Sequence, residues 1–253
     1  MKRAFELIDE KSHKFWWIET SENKFVVNYG KIESIGKYEI KEWDSVEECE
    51  KQATKLINSK IRKGYKEVNF DYNNHYYFDD MEYDIDFLTS HPNFREHFTD
   101  EQLYCNCGDE ETPFGSDTGN DVLHIIEEKI RKNKNFSFVD FPKYLLEKEW
   151  GIEYFEPILV ADEKVFAEEL KIKDKGLSRE AIINESDEVV IATAFAQIKI
   201  TGKIDKELKE KALLSLKRME LIAKICGYGE SEINKQLYND LESFTNKENI
   251  KLN

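Results

Sequence analysis

Proline is scarce in this chain, four residues in 253, and cysteine (four), glycine (eleven) and long apolar runs are scarce too. With 40% hydrophobic and 35% charged residues, the composition gives no sign of a disordered tail. The cysteines, Cys49, Cys105, Cys107 and Cys226, are scattered and form no disulfide framework of the kind small secreted domains use, so reduced thiols are expected. Glu6, Asp9 and Glu10 interrupt any secretory apolar run at the N-terminus. The most apolar stretch, 189–200, is too short to span a bilayer. A cytoplasmic protein without a membrane partner is the expectation. No phosphate-cradling glycine loop, no Ser or Cys nucleophile with a recognisable partner motif and no strong metal-ligand spacing is found, so a non-enzyme with no cofactor and no metal is expected.

Positive charge is also short, and unevenly so. The net charge is −15, yet residues 1–68 hold 14 Lys+Arg against 13 Asp+Glu. Between Asp71 and Asp121, 14 acidic residues face the single Arg95. Such asymmetry predicts two units with different surfaces. At 253 residues, either one domain or two could bury a real core.

What is present begins with four strand-like runs, 3–8, 14–20, 24–32 and 36–43, which alternate β-branched or aromatic residues with polar ones between turn-like breaks. Ser45 followed by Glu48 has the spacing of a capping box and predicts a helix start. Val46, Cys49, Ala53, Leu56, Ile57 and Ile61 then form one apolar stripe, Lys60, Arg62 and Lys63 load the last turn, and Gly64 supplies the stop. A short strand follows at 65–68.

The order Ser12-x-Lys14-Phe15-Trp16, Tyr29-Gly30-Lys31-Ile32, Gly36, and Asp44-Ser45 opening a helix that ends Lys60-Ile61-Arg62-Lys63-Gly64-Tyr65 resembles a WGR domain. WGR domains occur in poly(ADP-ribose) polymerases, where they contact DNA near strand breaks, and in bacterial proteins described as molybdate-metabolism regulators. The resemblance implies a sheet packed on one helix and a nucleic-acid contact in which Tyr29 stacks, Gly30 permits close approach and Lys31, with Lys14 and Lys37, meets phosphate. Here Tyr29 and Lys31 stand where Trp and Arg are usual, so an aromatic ring and a cation are kept but the bidentate fork of arginine is lost. The residues also allow a structural reading, with Tyr29 a cross-strand aromatic and Gly30 a bulge or a close backbone approach. Lys14, Lys24, Lys31, Lys37 and Lys41 offer a modest basic face, diluted by Glu33, Glu39 and Glu42.

Residues 69–89, acidic and aromatic with no helical period, read as a solvated connector. Beyond it, His91, His97, Cys105 and Cys107 form a weak zinc candidate, because one residue between thiols is unusual. Asp117, Asp121, His124 and Glu128 fall at helical spacing. They read either as a base or metal-ligand cluster, or as the wet face of a helix whose buried side is Val122, Ile125, Ile126 and Ile130. The His-Pro-Asn-Phe stretch at 91–94 and the Pro-Phe-Gly-Ser-Asp stretch at 113–117 resemble a bacterial YfeS-like group of WGR-containing proteins. Further helices are expected from Pro142, over 162–171, from Ser186 or Asp187 to Gly202, over 205–226 and over 230–244, with 152–160 extended.

The expectation is an α+β protein: a WGR-like antiparallel sheet packed on one helix at 1–68, an acidic connector at 69–89 and a mainly α-helical domain at 90–253. Its function reads as non-enzymatic binding or regulation with DNA as partner. The alternatives are an acidic second domain that meets a basic protein, and a metal-dependent enzyme built on Asp117, Asp121 and His124.

Overall fold

The computed structural model describes residues 1–105, 108–133, 135–174 and 176–247. The chain forms two compact units, Met1–Arg95 and Glu96–Asn253.

In the first unit, β1 (Lys2–Ile8), β2 (His13–Ser21), β3 (Lys24–Lys31) and β4 (Lys37–Glu42) precede α1 (Val46–Arg62), and β5 (Lys66–Val68) follows it. The strands make one antiparallel sheet in the order β4-β3-β2-β1-β5. Ser45 caps α1, its hydroxyl accepting from the Glu48 amide at 3.2 Å, while the Glu48 carboxylate turns to Lys51 and Gln52. One face of the sheet presents Phe5, Trp16, Ile18, Phe25 and Val27 to Cys49, Ala53 and Ile57 of the helix. The two-residue period of the strands and the three-to-four-residue period of the helix thus meet in one core.

The opposite face corrects the reading of residues 69–89 as a solvated connector. A single helix covers one side only, and the alternation puts Phe15, Trp17 and Tyr38 on the other, where they need cover of their own. The segment supplies it. Trp17 is wholly buried and meets Tyr38 and Tyr72 edge-on at 5.7 Å and Tyr77 at 6.0 Å, while Phe15 lies 5.6 Å from both Phe70 and His75. Asp79, Asp80 and Asp86 are buried and bond the protein instead of facing water, while Asp71, Glu82 and Asp84 are exposed. Asp80 accepts the Ile40 amide of edge strand β4 at 2.8 Å, Asp86 accepts the Leu88 amide at 2.7 Å, and Asp79 takes the Thr89 hydroxyl. With Asp79 only 4% and Asp80 only 6% exposed, neither can present charge to a basic partner.

His75 sits in this aromatic layer with Nε2 2.9 Å from Asn28 Oδ1, and burial pushes its pKa down to about 4 from 6.5. The unfolded chain therefore takes up a proton from pH 6.5 downward while the native ring stays neutral until about pH 4, so the associated stability is present above 6.5 and lost as the pH falls to 4. Between these pH values the wild type is expected to lose about 3 kcal/mol more unfolding free energy than His75→Gln in urea titrations. Parallel pH profiles for the two proteins would refute the assignment.

The second unit is mostly helical: α2 (Asp117–Lys132), α3 (Arg179–Thr201), α4 (Lys206–Cys226) and α5 (Glu232–Ser243), with shorter helical turns between. Every residue from Val189 to Ile200 is buried, so α3 is the central helix and is enclosed all round. It starts earlier than Ser186 or Asp187. The Ser178 hydroxyl caps it by accepting from the Ala181 amide at 3.1 Å, and the polar pair lies inside the helix because each has a buried partner. Asp187 accepts two hydrogen bonds from Arg218 of α4, each 2.8 Å long. Arg218 also donates to the carbonyls of Glu156 and Phe155 at 2.8 and 2.9 Å, tying the extended 152–160 connection to the helices. Gly202 and Gly227 end α3 and α4 in the left-handed conformation, as their positions predicted.

Asp117, Asp121, His124 and Glu128 are exposed along one side of α2, whose buried side includes Val122, Ile126 and Ile130. Among the described residues no group of three or more His, Cys, Asp or Glu could hold a metal ion. The histidines of the zinc candidate have other partners: His91 Nδ1 accepts from the Asn93 amide at 3.0 Å, and His97 Nε2 meets the Asp240 carbonyl at 2.8 Å. Cys107 lies outside the described residues. No helix among the described residues is long and apolar enough to cross a membrane.

Candidate nucleic-acid interface

The Tyr29-Gly30-Lys31 triplet ends β3. The register sets Trp16 opposite Tyr29, Phe15 opposite Gly30 and Lys14 opposite Lys31 on β2, and Lys37 of β4 opposite Tyr29. Strand alternation therefore brings Lys14, Trp16, Tyr29, Lys31 and Lys37 to the face covered by α1 and leaves Gly30 on the other. Four of the five site residues expected from the sequence share one corner.

Gly30 is there for space. A Cβ on it would fall 2.7 Å from Ser34 Oγ and 2.9 Å from Gly36 Cα, because the 31–36 turn folds back on the strand. Asn28 and Ser34 fasten that turn. The Asn28 amide donates to the carbonyls of Ile35 and Lys37 at 3.1 and 3.2 Å, and the Ser34 hydroxyl donates to the Lys31 carbonyl at 2.7 Å. Sequence reasoning missed Asn28, although a polar residue at an inward strand position between two valines and an aromatic is a visible signal.

Tyr29 is half-buried. Its hydroxyl donates to Glu39 Oε1 at 2.5 Å, and Lys37 donates to the same oxygen at 2.9 Å. The Tyr29 hydrogen bond, together with Lys37, holds the Glu39 carboxyl below the usual carboxylate range despite its partial burial. Lys60, on the last turn of α1, was expected only as a partner for the helix dipole. Its Nζ lies in a cradle of aromatic rings, 5.2 Å from the Trp16 centroid, 5.2 Å from Tyr65 and 5.8 Å from Tyr29. Burial, followed by the charges of Lys63 and Lys14, lowers the Lys60 pKa, while Glu39 opposes the shift. Lys63 follows Lys60 by about one helical turn, and Lys14 is the next residue on the same face of β2 as Trp16, against which Lys60 rests.

Lys14, Lys31 and Lys63 are exposed and make no ion pair among the described residues. Lys24 does not belong to this corner. It sits on the opposite face and pairs with Asp86 at 2.5 Å. Of the diluting acids, Glu39 is engaged by Tyr29 and Lys37, and Glu42 by the Tyr83 hydroxyl at 2.8 Å.

Residues 1–71 match the WGR domain family. Across 248 residues the chain is 44% identical to YfeS of Escherichia coli strain K12, an alignment covering 96% of this chain and 98% of YfeS. The chain belongs to the YfeS family of WGR-domain proteins. YehF of the same organism is 38% identical over 65 residues, 26% of this chain and 24% of YehF, so that likeness spans little more than one module. A solved protein from Bacteroides fragilis overlaps 51% of this chain and 39% of its own at 25% identity, with a TM-score of 0.27, too low to carry an argument. YfeS is described as uncharacterised, so the family membership brings a domain layout and no activity with it. Within this YfeS-family chain, the WGR match coincides with the sheet, α1 and the lysine corner.

Proposed function

We propose that this YfeS-family protein is a non-enzymatic binding or regulatory protein whose WGR module contacts the sugar-phosphate backbone of nucleic acid. The observation that carries the reading is the cationic corner. Among the described residues Lys14, Lys31 and Lys63 make no ion pair, the ammonium of Lys60 beside them is half-buried, and Glu39, the acid that acts on Lys60, is already engaged. Unpaired lysines at one corner supply point charges for phosphate and no planar fork for a base edge, so the contact positions the backbone and does not read sequence. In this arrangement the ring of Tyr29 serves as a wall that holds Lys60, and its role in binding is indirect.

Fluorescence anisotropy with labelled duplex DNA, intact and nicked with a 5′ phosphate, tests the reading. At low salt the wild type is expected to bind, and Lys14→Ala/Lys31→Ala to bind at least about tenfold more weakly. Tyr29→Phe, which removes only the hydroxyl given to Glu39, is expected to stay within about threefold of wild type. Absence of binding by the wild type at low salt, or equal affinity in the double variant, contradicts the proposal.

A further inference from the structure

The second unit holds a cavity of about 330 Å³ between α3, α4, the start of α5 and the 110–113 loop, a size suited to a small ligand. Its floor is apolar, built from Ile191 of α3, Leu216 and Met219 of α4, and Leu237 of α5. Its polar lining is one-sided. Glu110, Glu111, Glu188, Glu220 and Glu230 all border it, and no Lys, Arg or His among the described residues does.

The five acids are not equally occupied. Glu111 accepts from the Ser231 hydroxyl at 2.9 Å and Glu230 pairs with Lys235 at 2.5 Å, both at the α5 entrance. Glu188 lies deeper and takes one hydrogen bond, from the Ser116 hydroxyl that also caps α2. Burial pushes the Glu188 carboxyl up, the neighbouring charges of Glu185 and Glu110 add to this, and Ser116 opposes it. Glu220, on the α4 wall, makes no ion pair among the described residues. A half-buried carboxylate with one neutral partner and, on the facing helix, a second carboxylate with no ion pair among the described residues therefore border an apolar chamber.

We propose that this cavity binds a small organic cation, a protonated amine or guanidinium carried on an apolar body, with the body on the Ile191–Leu216–Met219 floor and the charged head at Glu188 and Glu220. Charge complementarity decides the sign of the head, since an anionic ligand would have to enter past five carboxylates, of which Glu230 alone has a lysine partner among the described residues. The apolar floor decides the body, because a fully hydrated cation would leave that surface uncovered. The inference rests on the helical unit alone and stands or falls apart from the nucleic-acid reading.

Isothermal titration calorimetry on the full chain tests it with two amines, hexylamine and phenethylamine, each compared with its neutral alcohol. The amines are expected to bind at least about tenfold more tightly than the alcohols. Glu188→Gln and Glu220→Gln are each expected to reduce that preference by about threefold or more while leaving alcohol binding in place. Ala223→Phe, which fills the cavity from α4, is expected to abolish binding of both. Should Glu188→Gln fail to fold, Glu220→Gln, on an exposed side chain, carries the charge test alone. The proposal is overturned if neither amine binds, if amine and alcohol bind equally, if the preference survives Glu220→Gln, or if folded Ala223→Phe still takes up the amines.

Discussion

Gly36→Ala is expected to lower the unfolding free energy by about 3 kcal/mol, with about half arising from backbone conformation and half from crowding. Gly36 has φ +79°, a region that costs any residue with a Cβ. The added methyl would also fall 2.7 Å from Phe15 Cζ, 2.8 Å from the Asn28 amide nitrogen and 2.8 Å from the Tyr29 carbonyl oxygen. None of the three has room to yield. Phe15 is packed against Phe70 and His75, Asn28 holds the 31–36 turn, and the Tyr29 carbonyl is backbone. Gly64→Ala isolates the conformational share, since Gly64 also has positive φ, +91°, but its nearest atom, Leu7 Cδ1, would stand 3.6 Å away. Urea denaturation of the two variants should therefore separate them by about 1.5 kcal/mol or more. Equal costs would mean that the turn does not press on β3 as described.

Arg218→Met is expected to cost about 3–5 kcal/mol and to lower the thermal midpoint by about 10 °C. The loss is not chiefly that of an attraction. Asp187 is wholly buried, so removing the guanidinium strands a carboxylate inside the helical core and leaves the Phe155 and Glu156 carbonyls without their donor. Adding Asp187→Leu removes the stranded charge and should restore most of the stability. The two carbonyls remain unpaired, so recovery should fall short of wild type by about 1–2 kcal/mol. A single-variant cost below about 1 kcal/mol would contradict the role given to this pair, and failure of the second substitution to recover any stability would contradict its electrostatic explanation.

The first unit's strands, α1 and its Ser45 cap were legible because local signals agree with one another: alternation, a capping serine and a terminal glycine. The role of residues 69–89 was not. A run of Asp and Tyr with no helical period looks like a solvated linker when read along the chain, and only the sheet topology shows that Trp17 and Tyr38 require a second cover. Asp80 and Asp86 then make sense as acceptors for edge-strand and loop amides, a use that composition does not display. The start of α3 was placed too late for a related reason. Ser186 and Asp187 are good caps by type, and what holds them inside a helix is partners that lie away from a cap: the Phe155 amide and the Ile182 carbonyl for Ser186, and Arg218 of α4 for Asp187. At the candidate interface the triplet and Lys14 are already candidates in the sequence, whereas Lys60 is not. Its aromatic cradle gathers residues from β2, β3 and the chain after α1, and no spacing rule joins them.

The WGR module's lysine corner as a phosphate contact is the central claim, and the salt dependence of DNA binding tests it most directly. With Lys14, Lys31 and Lys63 each meeting a phosphate, the slope of log K against log salt concentration should lie at about −2 to −3, and each lysine replaced by alanine should bring it closer to zero by about one. A slope near zero, or one that the three substitutions leave unchanged, would place the function of this chain elsewhere than the corner formed by β2, β3 and α1.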